Sequence, residues 1–178
     1  MMMTRKRLVL VALAALVTMA IPLGAMAIRA IPASAASAHD VPFTGSYSGT
    51  AILTSPTSAT FSGQGVATHL GSSTNEAYSV VTGPDSRCPG GLANDHHETL
   101  TAANGDTLSL ISYDVGCPEP PCISLCYQFH GIGHWVVTGG TGRFSGASGQ
   151  GTIDGHADFN QGVFSFQFTG TLSASNQG

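Results

Sequence analysis

Three residues of this chain have the side chains that proton transfer on a small molecule would require: His69, Glu76 and Tyr78. Imidazole titrates near neutral pH, and a carboxyl can do so where its surroundings raise its pKa. From Thr60 to Leu70 the odd positions Phe61, Gly63, Gly65, Ala67 and His69 are apolar, small or aromatic, whereas Thr60, Ser62, Gln64 and Thr68 are polar. Such period-two alternation gives a strand one buried and one wet face, and it predicts that His69 points inward. Glu76 and Tyr78 share a face of the next strand, so the three residues are candidates for a general acid/base group at the mouth of a closed sheet. The competing reading makes His69 a buried, hydrogen-bonded residue that shapes the end of that sheet.

Other polar groups carry weaker signals. Asp154, His156 and Asp158 alternate on one strand face, a row that can bind a metal weakly. An ordinary solvated face is the expectation there, and no metal or cofactor is expected. His96-His97-Glu98 lacks the second histidine of a zinc-protease helix and lies in a strand-like context, and no G-x-S-x-G nucleophile motif occurs. His130 and His134 fall on the face opposite Trp135.

The elements that must position these groups are strands. From Phe43 onward, short alternating segments are separated by Gly, Pro, Asn and Asp, and no stretch shows sustained three-and-four apolar spacing. The expected strands are 46–54, 60–70, 75–82, 97–103, 106–114, 126–138, 149–159 and 163–173. Asn104-Gly105 is expected at a hairpin turn with both residues at positive φ. Inward aromatics (Phe61, Phe129, Trp135, Phe166 and Phe168) are the candidate cavity wall. Inward glycines beside them suit strongly curved strands. The fold class expected is all-β, a single antiparallel barrel of seven or eight strands.

Arg5, Lys6 and Arg7 precede an apolar run from Leu8 to Ile28, and Ala33-Ser34-Ala35 and Ala36-Ser37-Ala38 follow it. That order predicts a signal peptide over residues 1–38, a barrel domain over 39–178, and a secreted, extracellular protein. A run of about 20 apolar residues can also span a bilayer, so a retained anchor is the alternative. Beyond residue 38 only Arg87 and Arg143 are basic, against ten acidic residues, a formal charge of −8 with no lysine. Such a surface argues against nucleic acid and, after signal cleavage, against anionic membranes as partners. It leaves a small apolar ligand as the expected partner, and oligomerisation remains open.

Cys88, Cys117, Cys122 and Cys126 are an even set in an exported chain, which predicts two disulfides rather than a zinc knuckle. Three connectivities exist; Cys117–Cys126 with Cys88–Cys122 is the favoured one.

The segment Trp135 to Gly149, with Gly139-Gly140-Thr141-Gly142-Arg143-Phe144 at its turn, resembles the GGTGxFxxAxG hairpin of plant dirigent proteins. Dirigent proteins share an eight-stranded barrel with allene oxide cyclases. With Ala67-Thr68-His69-Leu70-Gly71 and Ala103-Asn104-Gly105-Asp106, the chain also resembles bacterial secreted proteins described as allene oxide cyclase barrel-like, of unassigned function. The resemblance implies a barrel with a cavity for apolar small molecules. Within the chain, the GGTG run makes sense as a tight connection in which Gly139, Gly140 and Gly142 take positive φ and Phe144 returns to the core. A non-catalytic exported barrel binding a small apolar ligand or a surface partner is therefore expected. A cyclase- or isomerase-like enzyme working in the cavity, and a purely structural secreted domain, are the alternatives.

Overall fold

The computed structural model describes residues 40–120 and 127–173. Within them the chain runs through β1 (Val41–Ser55), β2 (Ser58–Ala67), β3 (Gly71–Asp85), β4 (Gly91–Ala102), β5 (Thr107–Pro118), β6 (Gln128–Gly140), β7 (Ser148–Asp158) and β8 (Val163–Ser173). Each strand pairs antiparallel with the next and β8 returns to β1, a closed barrel of eight strands. Among the described residues the one helical element is a single 3-10 turn, Gly142–Phe144. The expected fold class thus holds, with eight strands. β1, β3, β4 and β5 are longer than the alternation alone indicated, and β4 begins at Gly91 rather than at His97.

The two ends of the barrel differ. At one end Phe43, Tyr47, Leu100, Leu108, Trp135, Phe168 and Leu172 are buried almost completely, and Phe144 from the GGTGRF hairpin closes the base. Phe43 and Phe168 meet Trp135 edge-on, with ring centroids 5.4 Å and 6.1 Å away. Indole and benzyl rings fit inside so narrow a barrel because their cross-strand neighbours have no side chain. Trp135 pairs with Gly151, and Gly151 with Gly170. A Cβ on Gly151 would lie 2.6 Å from Trp135 Cζ2 and 2.1 Å from the Thr169 carbonyl oxygen. Trp135 Nε1 donates to the Thr152 carbonyl at 3.0 Å, so its polar atom is paired.

The turns at this closed end are held by Asp106. Asn104 Nδ2 donates to Asp106 Oδ2 at 2.8 Å, and the Arg143 amide does so at 3.4 Å. In the GGTG run only Gly142 has positive φ, and in the Asn-Gly turn only Gly105 does. Gly139, Gly140 and Asn104 therefore do not use the left-handed conformation expected of them. The opposite end carries the β1–β2, β3–β4, β5–β6 and β7–β8 connections. It is tied by a disulfide between Cys88 and Cys117, which corrects both pairings favoured from the sequence. The β3–β4 turn returns Cys88 to the end of β5, where Cys117 is the penultimate residue, and the two Cα atoms are 5.9 Å apart. Cys122 and Cys126 lie outside the described residues, as do residues 1–38, where the signal peptide is expected.

Two outcomes follow from this packing. Gly151→Ala should lower stability by about 1–3 kcal/mol, because the new methyl meets backbone as well as the indole. Gly139→Ala, where a Cβ meets nothing within 4 Å, should unfold near the wild-type midpoint in the same denaturant titration. Peptide mapping without reductant should recover Cys88 linked to Cys117, and a Cys88–Cys122 product would contradict the observed closure.

Candidate binding and acid–base site

Above the aromatic floor the barrel is hollow. A cavity of about 540 Å³ opens toward the disulfide end, with Phe61, Phe129, Phe159, Phe164 and Phe166 among its walls. That volume lies in the ordinary range for small-molecule pockets. Of the five aromatics expected to form the wall, Phe61, Phe129 and Phe166 do so. Trp135 and Phe168 instead fill the closed half below it.

The polar groups of the cavity come from β4 and β5. Leu100 and Ala102 face inward on β4, so strand phase also carries Asn94, His96 and Glu98 toward the interior. On β5, Leu108 and Leu110 set the same phase for Ser112 and Asp114. His96 Nε2 lies 3.0 Å from Asp114 Oδ2, and Asn94 Nδ2 donates to Asp114 Oδ1 at 2.9 Å. Ser79 Oγ is 3.5 Å from the same imidazole nitrogen. Deeper in, Ser112 Oγ donates to Glu98 Oε1 at 2.5 Å and Asn75 Nδ2 to Oε2 at 3.3 Å. Asn75 Oδ1 is the one fully buried side-chain polar atom without a hydrogen-bond partner among the described residues. The His96 side chain is 16% exposed, enough to be touched from the cavity, and its ring lies 5.7 Å from that of Phe61.

Burial and pairing push these groups in different directions. Removal from water raises the Glu98 pKa, outweighing the His96 charge and the Ser112 and Asn75 hydrogen bonds that favour the carboxylate. Burial also disfavours charge on His96. The Asp114 hydrogen bond and charge, with the charges of Glu98 and Asp95, overcome it and raise the imidazole pKa. Asp114 feels burial as well, but the His96 hydrogen bond and charge, then Asn94 and Arg87, hold its carboxyl below the ordinary range. The cavity therefore contains a carboxyl biased toward its neutral acid beside a carboxylate biased toward charge. Environments that separate pKa values in this way set up acid and base roles.

The residues expected at the site lie elsewhere. His69 is not in β2 but in the β2–β3 turn, exposed, at φ +68°, with Nε2 3.2 Å from the Pro42 carbonyl oxygen. Alternation stopped at Ala67, so its phase no longer described the imidazole two residues on. Glu76 and Tyr78 project from the outer face of β3; Glu76 accepts from Ser62 Oγ at 2.7 Å, and Tyr78 is 46% exposed. None of the three lines the cavity. His96 falls outside the expected strand 97–103, whereas Glu98 and Asp114 lie within expected strands whose inward phase the sequence reading did not follow to them. Counting back by twos from Leu100 and forward by twos from Leu108 would have found all of them.

No protein-family model and no curated protein matches the chain.

The buried groups make stability depend on pH with a definite sign. Folded Glu98 retains a proton that the unfolded chain releases above the ordinary value of 4.5, so its contribution is complete below that pH and lost as pH rises through the folded pKa. His96, also raised, acts in the same direction above 6.5. Asp114 acts oppositely, stabilising above 3.8 and losing that contribution as pH falls through its depressed pKa. Unfolding free energy should therefore decline from mildly acidic pH through neutrality. Glu98→Gln should flatten the part of the decline that begins near 4.5, and an unchanged slope in that variant would remove Glu98 from this role.

Proposed function

We propose that this is an exported β-barrel that binds a small, largely apolar molecule in its open half, with the molecule's polar end against His96, Asp114 and Glu98. The observation that carries the reading is the aromatic cavity of about 540 Å³ above a filled floor. A purely structural barrel has no need of a hollow half, since close-packed interiors are the rule. Few ionisable groups reach the cavity, so affinity would come mainly from apolar surface removed from water, and the polar cluster would set orientation. Export is supported by the charged, apolar and small-residue order of the first 38 residues, and a disulfide accords with an oxidising compartment. The hairpin resemblance to the allene oxide cyclase and dirigent barrels points to the same class of ligand.

A second reading has its own observation. The acid-biased Glu98 and the His96–Asp114 pair share one cavity, as proton transfer to and from a single bound molecule would require. In that case the protein would be an isomerase- or cyclase-like enzyme, with Glu98 donating a proton and the imidazole relaying one.

Native mass spectrometry of protein secreted by its host should find a small molecule retained at about one per barrel. Ala157→Phe, which places a ring among Phe129, Phe159 and Phe164, should abolish its retention while the barrel stays folded. If wild type and Ala157→Phe carry the same species, the cavity is not the site. Glu98→Gln keeps the shape and hydrogen-bonding capacity of the side chain but cannot donate an acid proton. Binding alone predicts the same ligand retained within a few-fold of wild type, whereas the enzymatic reading predicts that chromatography of the released ligand separates an unconverted isomer from the wild-type species.

A further inference from the structure

We propose that Glu119, His130 and His156 form a binding site for a divalent ion of the zinc type on the outer wall of the barrel, beside the cavity mouth. The three residues come from three separate parts of the chain. His130 and His156 are direct cross-strand partners on β6 and β7, and His130 also pairs with Cys117 on β5. Glu119 follows directly on the last residue of β5 and so arrives at the same level. One ligand atom from each of the three lies within 4.8 Å of the other two.

One pair of ligand atoms already has the spacing an ion would need, and the two rings would tilt out of their stack so that the in-plane lone pair of each meets it. With bonds of about 2.0–2.1 Å, two ligands on a tetrahedral ion sit about 3.3 Å apart. His156 Nδ1 and Glu119 Oε2 are already 3.1 Å apart. The imidazoles of His130 and His156 lie flat on one another, with centroids 4.4 Å apart and planes 6° from parallel. Asp154 adds a second carboxylate at the edge of the group, with Oδ1 3.1 Å from His130 Nε2. No lysine follows residue 38, and Arg87 and Arg143 are engaged with Asp85 and Asp106. The local field thus favours a cation.

The donor set selects the class of ion. Calcium and magnesium prefer all-oxygen shells, and soft copper(I) prefers thiolate or thioether, whereas two imidazoles and a carboxylate suit zinc, copper(II) or nickel. Three protein ligands at an exposed position leave a fourth place open to water. The row Asp154, His156 and Asp158, expected from the sequence to be an ordinary solvated face, is not this set. Asp158 is held by Gln128 Nε2 at 2.7 Å, and the partners of His156 lie across the strands rather than along its own.

The test uses the secreted protein without a histidine tag, disulfides intact, titrated with Zn2+ alone. Calorimetry against a competing chelator should find one equivalent bound with an affinity on the order of micromolar. His130→Asn and His156→Asn should each weaken binding by about tenfold or more, while His134→Asn, altered on the same outer face, should leave it unchanged. In the wild-type protein, the imidazole nitrogen resonances of His130 and His156 should shift together with Zn2+ while those of His97 and His134 stay fixed. This readout does not depend on how the variants fold. Absence of saturation below millimolar Zn2+, wild-type affinity in His130→Asn or His156→Asn, or shifts confined to other histidines would each overturn the site.

Discussion

The close approach of backbone to ring at inward glycines is the constraint on which the rest of this barrel depends. Eight strands enclose an interior only wide enough for side chains to fill. A tryptophan and several phenylalanines occupy one half of it because Gly151 and Gly170 present bare Cα atoms to the indole, and Gly65 does the same for Tyr47. The bulk displaced from the strand backbones is thereby concentrated at the floor. With the floor packed, the upper half need not be, and Phe61, Phe129, Phe164 and Phe166 line an opening above it.

Between the packed and the hollow halves lies a layer of polar side chains: Asn75, Glu98 and Ser112 below, His96 and Asp114 above. A buried carboxyl is costly unless it is paired or neutral, and here the two solutions stand side by side. Asp114 keeps its charge through His96 and Asn94, while Glu98 is pushed toward its acid form. The arrangement departs from what stability alone would choose. Apolar residues could replace the buried cluster with little loss, since buried ion pairs seldom repay their desolvation. Such a departure at the wall of an open cavity is what a ligand-handling role would select.

The fold was far more legible than the site. Alternation through Phe61 to Ala67, Gly149 to Phe159 and Phe164 to Phe168 needs no tertiary information, because one wet face and one dry face write themselves into every second residue. Reading the site required knowing where each alternating run stops. His69 continues the pattern of β2 by residue type alone, yet its backbone has turned into the left-handed region, and a turn erases phase. β4 posed the reverse difficulty: Asn94, His96 and Glu98 are polar on an inward face, so they look like the outer side of a strand until Leu100 and Ala102 fix the register. The cavity wall was half legible, for the same reason that Trp135 and Phe129 look alike in a pattern but sit at different depths in a barrel. The disulfide depended on which turns share an end of the barrel, and sequence spacing carries no such information.

The pairing of β1 with β8 has a consequence for how the molecule can be held. Val41 lies opposite Leu172, so the chain enters the barrel and leaves it at the plugged end, away from the cavity mouth. A linker joined at Asp40 or Ser173 therefore departs from the floor. Attached to a solid support through either position, the barrel would present its mouth to the bulk phase like a cup standing on its base, and solutes could exchange without passing the tether.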